Sequence, residues 1–371
     1  MNTNLTKLLY QIALTQIEGV GDILARNLID TIGSAEEVFR SSKKSLIAVK
    51  GISTYLADAV LDPKVLENAE KELLFVEKNS IQTLFYTDDD YCYRLKECID
   101  APILLYYKGN ADLNATKIIS IVGTRKSTNY GNDFCDNFLA DLVSDFPDVL
   151  IISGLAYGID IQAHKSSLKH NLATVGVLAH GLDRIYPSGH RKTAVEMLEN
   201  GGLLTEFPSR TELDRFNFVR RNRIVAGMSD ATIVVQSDSK GGSLITAEMA
   251  NSYNKDVFAL PGRISDKESA GCNMLIEDNK AILLQSADSF IKHMQWDAGK
   301  QINKPKQRQL FLDLSNDEQA VYDLLATIES LHINLIANQL GVPISNLLSV
   351  LLTMEMKGIV RTIAGGSYQL L

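Results

Sequence analysis

The sequence predicts an α/β protein: a doubly wound parallel sheet, preceded by a small helical segment and followed by a second small module. Three observations predict it. From about residue 115 to 292, short apolar runs rich in Val and Ile alternate with helix-length segments, the pattern of strands joined by crossover helices. Nearly every run ends in small residues, as needed where backbone must come close to a ligand. The length, 371 residues, exceeds one hydrophobic core, so two or three domains are expected.

Taken in order, residues 1–75 read as short helices broken by glycine turns. Ile17-Glu-Gly-Val-Gly21 before Leu24-Ala-Arg-Asn-Leu28 is a helix-hairpin-helix (SAM-like) pattern, and Val49-Lys-Gly-Ile-Ser53 before Leu56-Ala-Asp-Ala-Val60 is a weaker copy with Ser53 at a glycine position. Such turns free backbone N–H groups at a helix start, where a phosphate can dock; an ordinary glycine-capped turn explains either copy alone equally well. Residues 76–294 form one extended Rossmann-like domain. Its strands are expected at 82–86 and 103–107, which extend the sheet, and at 117–122, 149–153, 173–178, 202–205, 231–236 and 257–260. Residues 295–314 are polar and basic and read as a linker. From 315 to 371, three helical patterns and a short hairpin (358–362 with 367–370) suggest a winged helix, with 344–356 as the helix that would enter a major groove. That helix has no arginine, and from Ser315 on five acids face two basic residues. Duplex binding leans on cationic phosphate contacts, so this module is expected to dock protein or simply pack.

Composition excludes several classes. The net charge of -8 argues against a protein that coats duplex DNA, though not against one focused basic groove. No apolar stretch has bilayer length and no secretion signal opens the chain, so no membrane partner is expected. Cys92, Cys98, Cys135 and Cys272 are scattered and no histidine cluster completes a zinc set, which reads as cytoplasmic, reduced and metal-free. The first strand of the doubly wound region ends in Gly123-Thr-Arg-Lys without GxGxxG spacing, and the second lacks a ribose-binding acid, so no dinucleotide cofactor is expected. Gly241-Gly-Ser-Leu-Ile-Thr-Ala-Glu248 is close to the PGGxGTxxE signature of phosphoribohydrolases that act on nucleoside monophosphates. Leu244 and Ile245 replace its glycine and threonine, but an enzyme using Glu248 stays as the alternative. His164 and Asp160 lack a GxSxG nucleophile elbow and are expected to stabilise their turn by bonding to backbone.

The most informative stretch is Arg215-Phe-Asn-Phe-Val-Arg-Arg-Asn-Arg223, with four arginines, two phenylalanines and no acid in nine residues of an acidic chain. Arginine forks fit phosphate oxygens and aromatic rings offer faces for bases, which suits single-stranded nucleic acid. The bland alternative is a solvated helix face over two core phenylalanines.

Six motifs in order are similar to the DNA-processing protein A (DprA/Smf) family: Ile121-Val-Gly-Thr-Arg125, Ser153-Gly-Leu-Ala-Tyr-Gly-Ile-Asp160 with Ala163-His164, Gly181-Leu-Asp-Arg-Ile-Tyr-Pro187, Phe218-Val-Arg-Arg-Asn-Arg-Ile224, Gly242-Ser-Leu-Ile-Thr246 and Leu260-Pro-Gly262. The resemblance implies a non-enzymatic mediator without cofactor that binds and protects incoming single-stranded DNA and helps load the RecA recombinase in natural transformation. It also implies a homodimer joined through the Rossmann-like domain. Carried onto this chain, it places Arg125 on a phosphate, and Arg215 and Phe218 on backbone and base. It assigns Arg221 and Arg223 one groove-facing and one internal role. Ser153, Gly154, Gly242 and Ser243 would supply the pocket floor, with Lys165 and Lys240 as further basic contacts. The family commonly has asparagine after the Tyr-Pro element, where this chain has Ser188-Gly-His190.

Overall fold

Runs of β-branched and aliphatic residues fit a pleated, two-sided buried surface. In the computed structural model, which describes residues 3–296, 314–328, 330–363 and 365–370, those runs become strands. Contacts divide the chain into two compact units, Met1–Leu283 and Leu284–Leu371.

The first unit opens with six helices: α1 (Thr3–Thr15), α2 (Asp22–Ile32), α3 (Ala35–Arg40), α4 (Lys43–Ile47), α5 (Thr54–Val60) and α6 (Pro63–Lys78). Side-chain caps start four of them, Ser34, Ser42, Ser53 and Asp62 each accepting a backbone N–H of the first turn. Ser53, which spoils the second hairpin as a glycine motif, is therefore the N-cap of α5. The two hairpins interlock. Gly19 (φ +78°) and Gly51 (φ +90°) adopt left-handed turns, and a Cβ on Gly19 would lie 2.8 Å from Leu56 and one on Gly51 2.7 Å from Leu24. The core beneath, including Ile12, Leu28 and Leu46, runs on into Phe85, Ile103 and Tyr106 of the neighbouring sheet edge.

The nine-stranded sheet comprises β1 (Gln82–Phe85), β2 (Leu104–Gly109), β3 (Ile118–Val122), β4 (Leu150–Ser153), β5 (Thr174–Val177), β6 (Gly201–Thr205), β7 (Ala231–Val234), β8 (Asp256–Ala259) and β9 (Ile282–Leu283), in the order β1-β2-β6-β5-β4-β3-β7-β8-β9. From β6 to β9 all pairs are parallel, as expected. At the other edge β1 and β2 extend the sheet as expected, and β1–β2 and β2–β6 are antiparallel. Between β1 and β2 the chain carries the four-residue helix α7 (Tyr93–Lys96). Elsewhere crossovers are made by α8 (Asn129–Asp145), α9 (Ile159–Lys169), α10 (Arg191–Met197), α11 (Arg215–Gly227), α12 (Gly242–Ser252) and α13 (Ala270–Glu277). Strand order reverses between β3 and β7, so the switch point lies at their carboxyl ends. A buried ion pair fastens the opposite end of these strands. Arg94 donates to both carboxylate oxygens of Asp230 (2.6 and 3.0 Å) and to the carbonyls of Ala115 and Thr116, while Asp230 also accepts the Ile118 N–H. With every partner satisfied, the buried charges are compensated.

The second unit contains α14 (Ala287–His293), α15 (Asn316–Ala326), α16 (Ile333–Leu340), α17 (Ile344–Met356) and a three-stranded sheet of β10 (Leu331–His332), β11 (Val360–Ile363) and β12 (Ser367–Leu370) in the order β10-β12-β11. This is the winged-helix arrangement, with β10 added to the expected hairpin. A capping box of Ser315 and Glu318 starts α15, and Lys357 bonds both oxygens of Glu318 at 2.7 Å, tying α15 to the end of α17. Of the linker expected at 295–314, residues 297–313 lie outside the described residues.

Candidate nucleic-acid interface

Crossover helices start at the carboxyl edge of parallel strands, so the loops after β3, β4, β5 and β6 meet there. After β3 the chain turns at Gly123, where a Cβ would lie 2.6 Å from Ile159, and the Thr124 N–H donates to the Gln236 carbonyl at 2.7 Å. This tight turn leaves Arg125 exposed, and its guanidinium lies 5.4 Å from the centre of the Phe218 ring on α11. Arg125, Gly154, Tyr157, His180, Tyr186 and Phe218 all line one cavity of about 70 Å³. None of its lining residues is acidic.

α11 places its arginines by helical phase and by depth. Asp214 caps it, accepting the Phe216 N–H at 2.7 Å. Arg215 in the first turn is exposed, its guanidinium 4.9 Å from the ring centre of the exposed Phe216. Phe218 is half-buried and edge-on to Tyr186 at 5.9 Å. Farther along, the helix dives into the protein. Arg221 is 4% exposed and donates to the carbonyls of Gly154 and Val177. A Cβ on Gly154 would land inside that guanidinium. Arg223 is 5% exposed and donates to the Asp100 carbonyl, to Asp22 (3.1 Å) and to Glu206 (2.6 Å). The expectation that one of Arg221 and Arg223 faces the groove is therefore corrected: both are internal braces, because both lie past the turn at which α11 leaves solvent.

The same cluster orients the first hairpin. The Gly19–Asp22 turn lines a cavity of about 650 Å³ together with Glu206, Arg220 and Arg223. Asp22 accepts the Ile103 N–H at 3.0 Å and pairs with Arg220 (3.3 Å) and Arg223. A phosphate docking at the start of α2 would meet the Asp22 carboxylate, so the hairpin braces the sheet and α11 instead. Burial pushes the Glu206 carboxyl up to about 7 against the opposing pull of Arg223 and Arg220. Asp160 is likewise raised by burial, with Arg221 pulling the other way.

Several expected floor residues are not available to a ligand. Ser153 is fully buried, its hydroxyl donating to the Ile121 carbonyl at 2.6 Å, and so is removed from the pocket floor. The Ser243 hydroxyl is buried and donates to Ser237 at 2.9 Å, which leaves that side chain with an internal role. Lys165 is exposed, but it stands six residues into α9, about 9 Å along the helix from the carboxyl edge, and is not brought to the cavity. Gly242 and Lys240 remain exposed at the start of α12, and a Cβ on Gly242 would meet nothing within 4 Å. Glu248 is exposed on α12, and it is not among the residues that line the cavity with Arg125 and Phe218. His164 bonds through Nδ1 to the Thr174 hydroxyl (2.7 Å), a side chain and not backbone, and burial holds it neutral with a pKa lowered to about 3. His190 is assigned a structural place: Nδ1–H donates to the Leu155 carbonyl (2.9 Å) and the ring stands edge-on to Tyr157 at 4.9 Å.

The cavity thus offers a cation, a ring face and close backbone, with a second exposed arginine one turn away on α11. That can hold a phosphate and a base without bond-breaking chemistry. Sequence reasoning missed Tyr157 and Tyr186, although both sit inside quoted motifs. A tyrosine there looks the same in sequence whether it is core or wall.

Comparison with known proteins identifies the family and the fold. The family model described as DNA recombination-mediator protein A matches residues 82–295, that of the DprA winged helix domain matches 305–366, and that of a SAM-like helix-hairpin-helix tandem matches 12–62. Protein Smf of Escherichia coli (strain K12) is 31% identical over 307 residues, covering 82% of this chain and 81% of that protein. Protein Smf of Synechocystis is 34% identical over 279 residues, covering 74% and 70%. The X-ray structure of DNA processing protein A from Streptococcus pneumoniae superposes with a TM-score of 0.66 at 28% identity, over 76% of this chain and 97% of that one. DNA processing protein A from Helicobacter pylori, solved for its single-stranded DNA binding mode, gives 0.53 at 30% identity, over 58% and 96%.

Proposed function

This chain belongs to the DNA recombination-mediator protein A (DprA/Smf) family, and from that premise we propose that it binds single-stranded DNA along the carboxyl edge of its sheet. In this role it protects incoming DNA and helps load the RecA recombinase during natural transformation. It acts in the cytoplasm as a homodimer joined through the Rossmann-like domain, without catalytic chemistry. Residues 76–294 do the binding, 1–75 brace them, and 315–371 serve as an accessory module.

The observation that carries the proposal is the exposed Arg125 guanidinium over the Phe218 ring, in a cavity with no acidic wall. Binding would trade that contact for a phosphate on Arg125 and a base on Phe218, with Arg215 on a neighbouring phosphate. Backbone and ring-face contacts read no sequence, so the binding is sequence-tolerant. Two further facts support the rest. Among the described residues no single helix is long and apolar enough to cross a membrane. On α17, Leu348, Leu352 and Met356 are 48, 60 and 83% exposed, a surface better suited to protein than to phosphate.

The test is a fluorescence-anisotropy titration of labelled oligothymidylate, single-stranded and as a duplex, at two salt concentrations. Tight, salt-weakened binding of the single strand and poor binding of the duplex are expected, with Arg125→Ala, Arg215→Ala and Phe218→Ala each weaker. Unchanged affinity in all three variants would remove this cavity as the site. No binding of either form would turn attention to base release from nucleoside monophosphates.

A further inference from the structure

Soluble proteins seldom cluster exposed aromatic rings without a use for them. Tyr157 and Tyr186 are 53 and 44% exposed, yet both line the cavity that holds Arg125 and Phe218. Neither hangs loose. The loop after β5 fixes Tyr186, whose N–H donates to Nε2 of the buried His180 (3.2 Å), while His180 Nδ1–H donates to the Gly181 carbonyl (2.8 Å). Its ring meets Phe218 at 65°. The loop after β4 presents Tyr157, whose ring is held at 73° to His190, itself bonded to the Leu155 carbonyl. Two histidines that perform no chemistry thus fix two rings that face solvent.

The Arg125 guanidinium covers part of the Phe218 ring, so that ring alone offers limited stacking area. A chain that follows the carboxyl edge past Phe218 would next meet the loops that carry Tyr186 and Tyr157. We propose that Tyr157 and Tyr186 form a second nucleobase-stacking subsite, so that the cavity engages two neighbouring bases and not one. His190 and His180 are its positioning residues. The subsite takes any base, since every base has a π-face, and it gains nothing from a backbone that lacks bases.

This inference rests on the single-strand reading above, and the experiment separates the two. Full-length wild type, Tyr157→Ala, Tyr186→Ala, Tyr157→Phe and Phe218→Ala are titrated with an oligothymidylate and with an oligonucleotide of equal length whose central nucleotides are abasic. Each tyrosine-to-alanine change should weaken oligothymidylate binding about 5- to 100-fold, leave the abasic oligonucleotide bound as by wild type, and be rescued at position 157 by phenylalanine. Both side chains are about half exposed, and thermal melting of each variant checks that folding is intact. Wild-type affinity in both alanine variants while Phe218→Ala is weak, or an equal loss on both oligonucleotides, overturns the second subsite and leaves the groove standing. Failure of wild type to bind either oligonucleotide overturns both.

Discussion

Replacing Arg221 by methionine separates the two kinds of arginine on α11. The side chain is 4% exposed, and its guanidinium bridges the carbonyls of Gly154 and Val177, which belong to the loop after β4 and to β5. Methionine keeps most of the volume but leaves two buried carbonyls without a donor, each costing about 1–3 kcal/mol. It also strips the buried Asp160 of a positive neighbour. Relief of the desolvated guanidinium offsets part of this, for a net loss of about 3–5 kcal/mol, the range for breaking a buried charge network. Arg215→Ala, at an exposed first-turn position, should alter stability by about 0.5 kcal/mol or less while weakening DNA binding. Urea unfolding followed by circular dichroism, with the slope checked for two-state behaviour, reads the first effect, and anisotropy on single-stranded oligonucleotide reads the second. An Arg221→Met protein with the wild-type midpoint and lost DNA affinity would refute the reasoning, because Arg221 would then be a contact and not a brace.

Other outcomes follow from the same contacts. Phe218→Ala should lose about 1–3 kcal/mol of single-strand affinity if one base rests on the ring, measured by anisotropy; a loss confined to duplex would contradict it. Glu206 titrates near 7 in the folded chain against 4.5 when unfolded, so the folded state holds an extra proton between those values. Stability should therefore fall as pH rises from about 4.5 to about 7, by on the order of 3 kcal/mol from this group, and level off above. Glu206→Gln should flatten that fall when urea midpoints are compared at pH 5 and pH 8, and an unchanged slope would place the titration elsewhere. Gly19→Ala forces a left-handed φ on alanine and a 2.8 Å contact with Leu56, and should lower the melting temperature by several degrees; an unchanged melting curve would show that the hairpins do not interlock as described.

How much of this was legible in the sequence depended on the range of the interactions involved. Strands such as Ile118–Val122 and Ala231–Val234 announce themselves because burial on both faces demands unbroken β-branched runs. β9, two residues beside a polar turn, carries no such signal and exists only because β8 offers it an edge. The antiparallel edge is invisible for the same reason, since the direction of β2 is settled by its pairing with β6, a strand distant in sequence. Within the site, composition singled out the arginine cluster but could not rank its members. Arg215 and Arg221 differ only in depth, and depth is fixed by where Gly154 and Val177 approach α11. Ser153 read as a pocket-floor hydroxyl because its partner, the Ile121 carbonyl on the adjacent strand, is 32 residues away. Asp22 gave no hint that it would close the first hairpin to phosphate, since its partners Arg220 and Arg223 lie about 200 residues on.

The most direct test of the central claim, that an exposed basic and aromatic groove grips the backbone of single-stranded DNA, is the salt dependence of affinity in wild type and Arg215→Ala. Each phosphate neutralised should contribute about 0.7 to the slope of log affinity against log salt on a single strand. Wild type should show a clear negative slope, and Arg215→Ala one shallower by about that amount. Identical slopes in the two proteins, or wild-type affinity indifferent to salt, would contradict it.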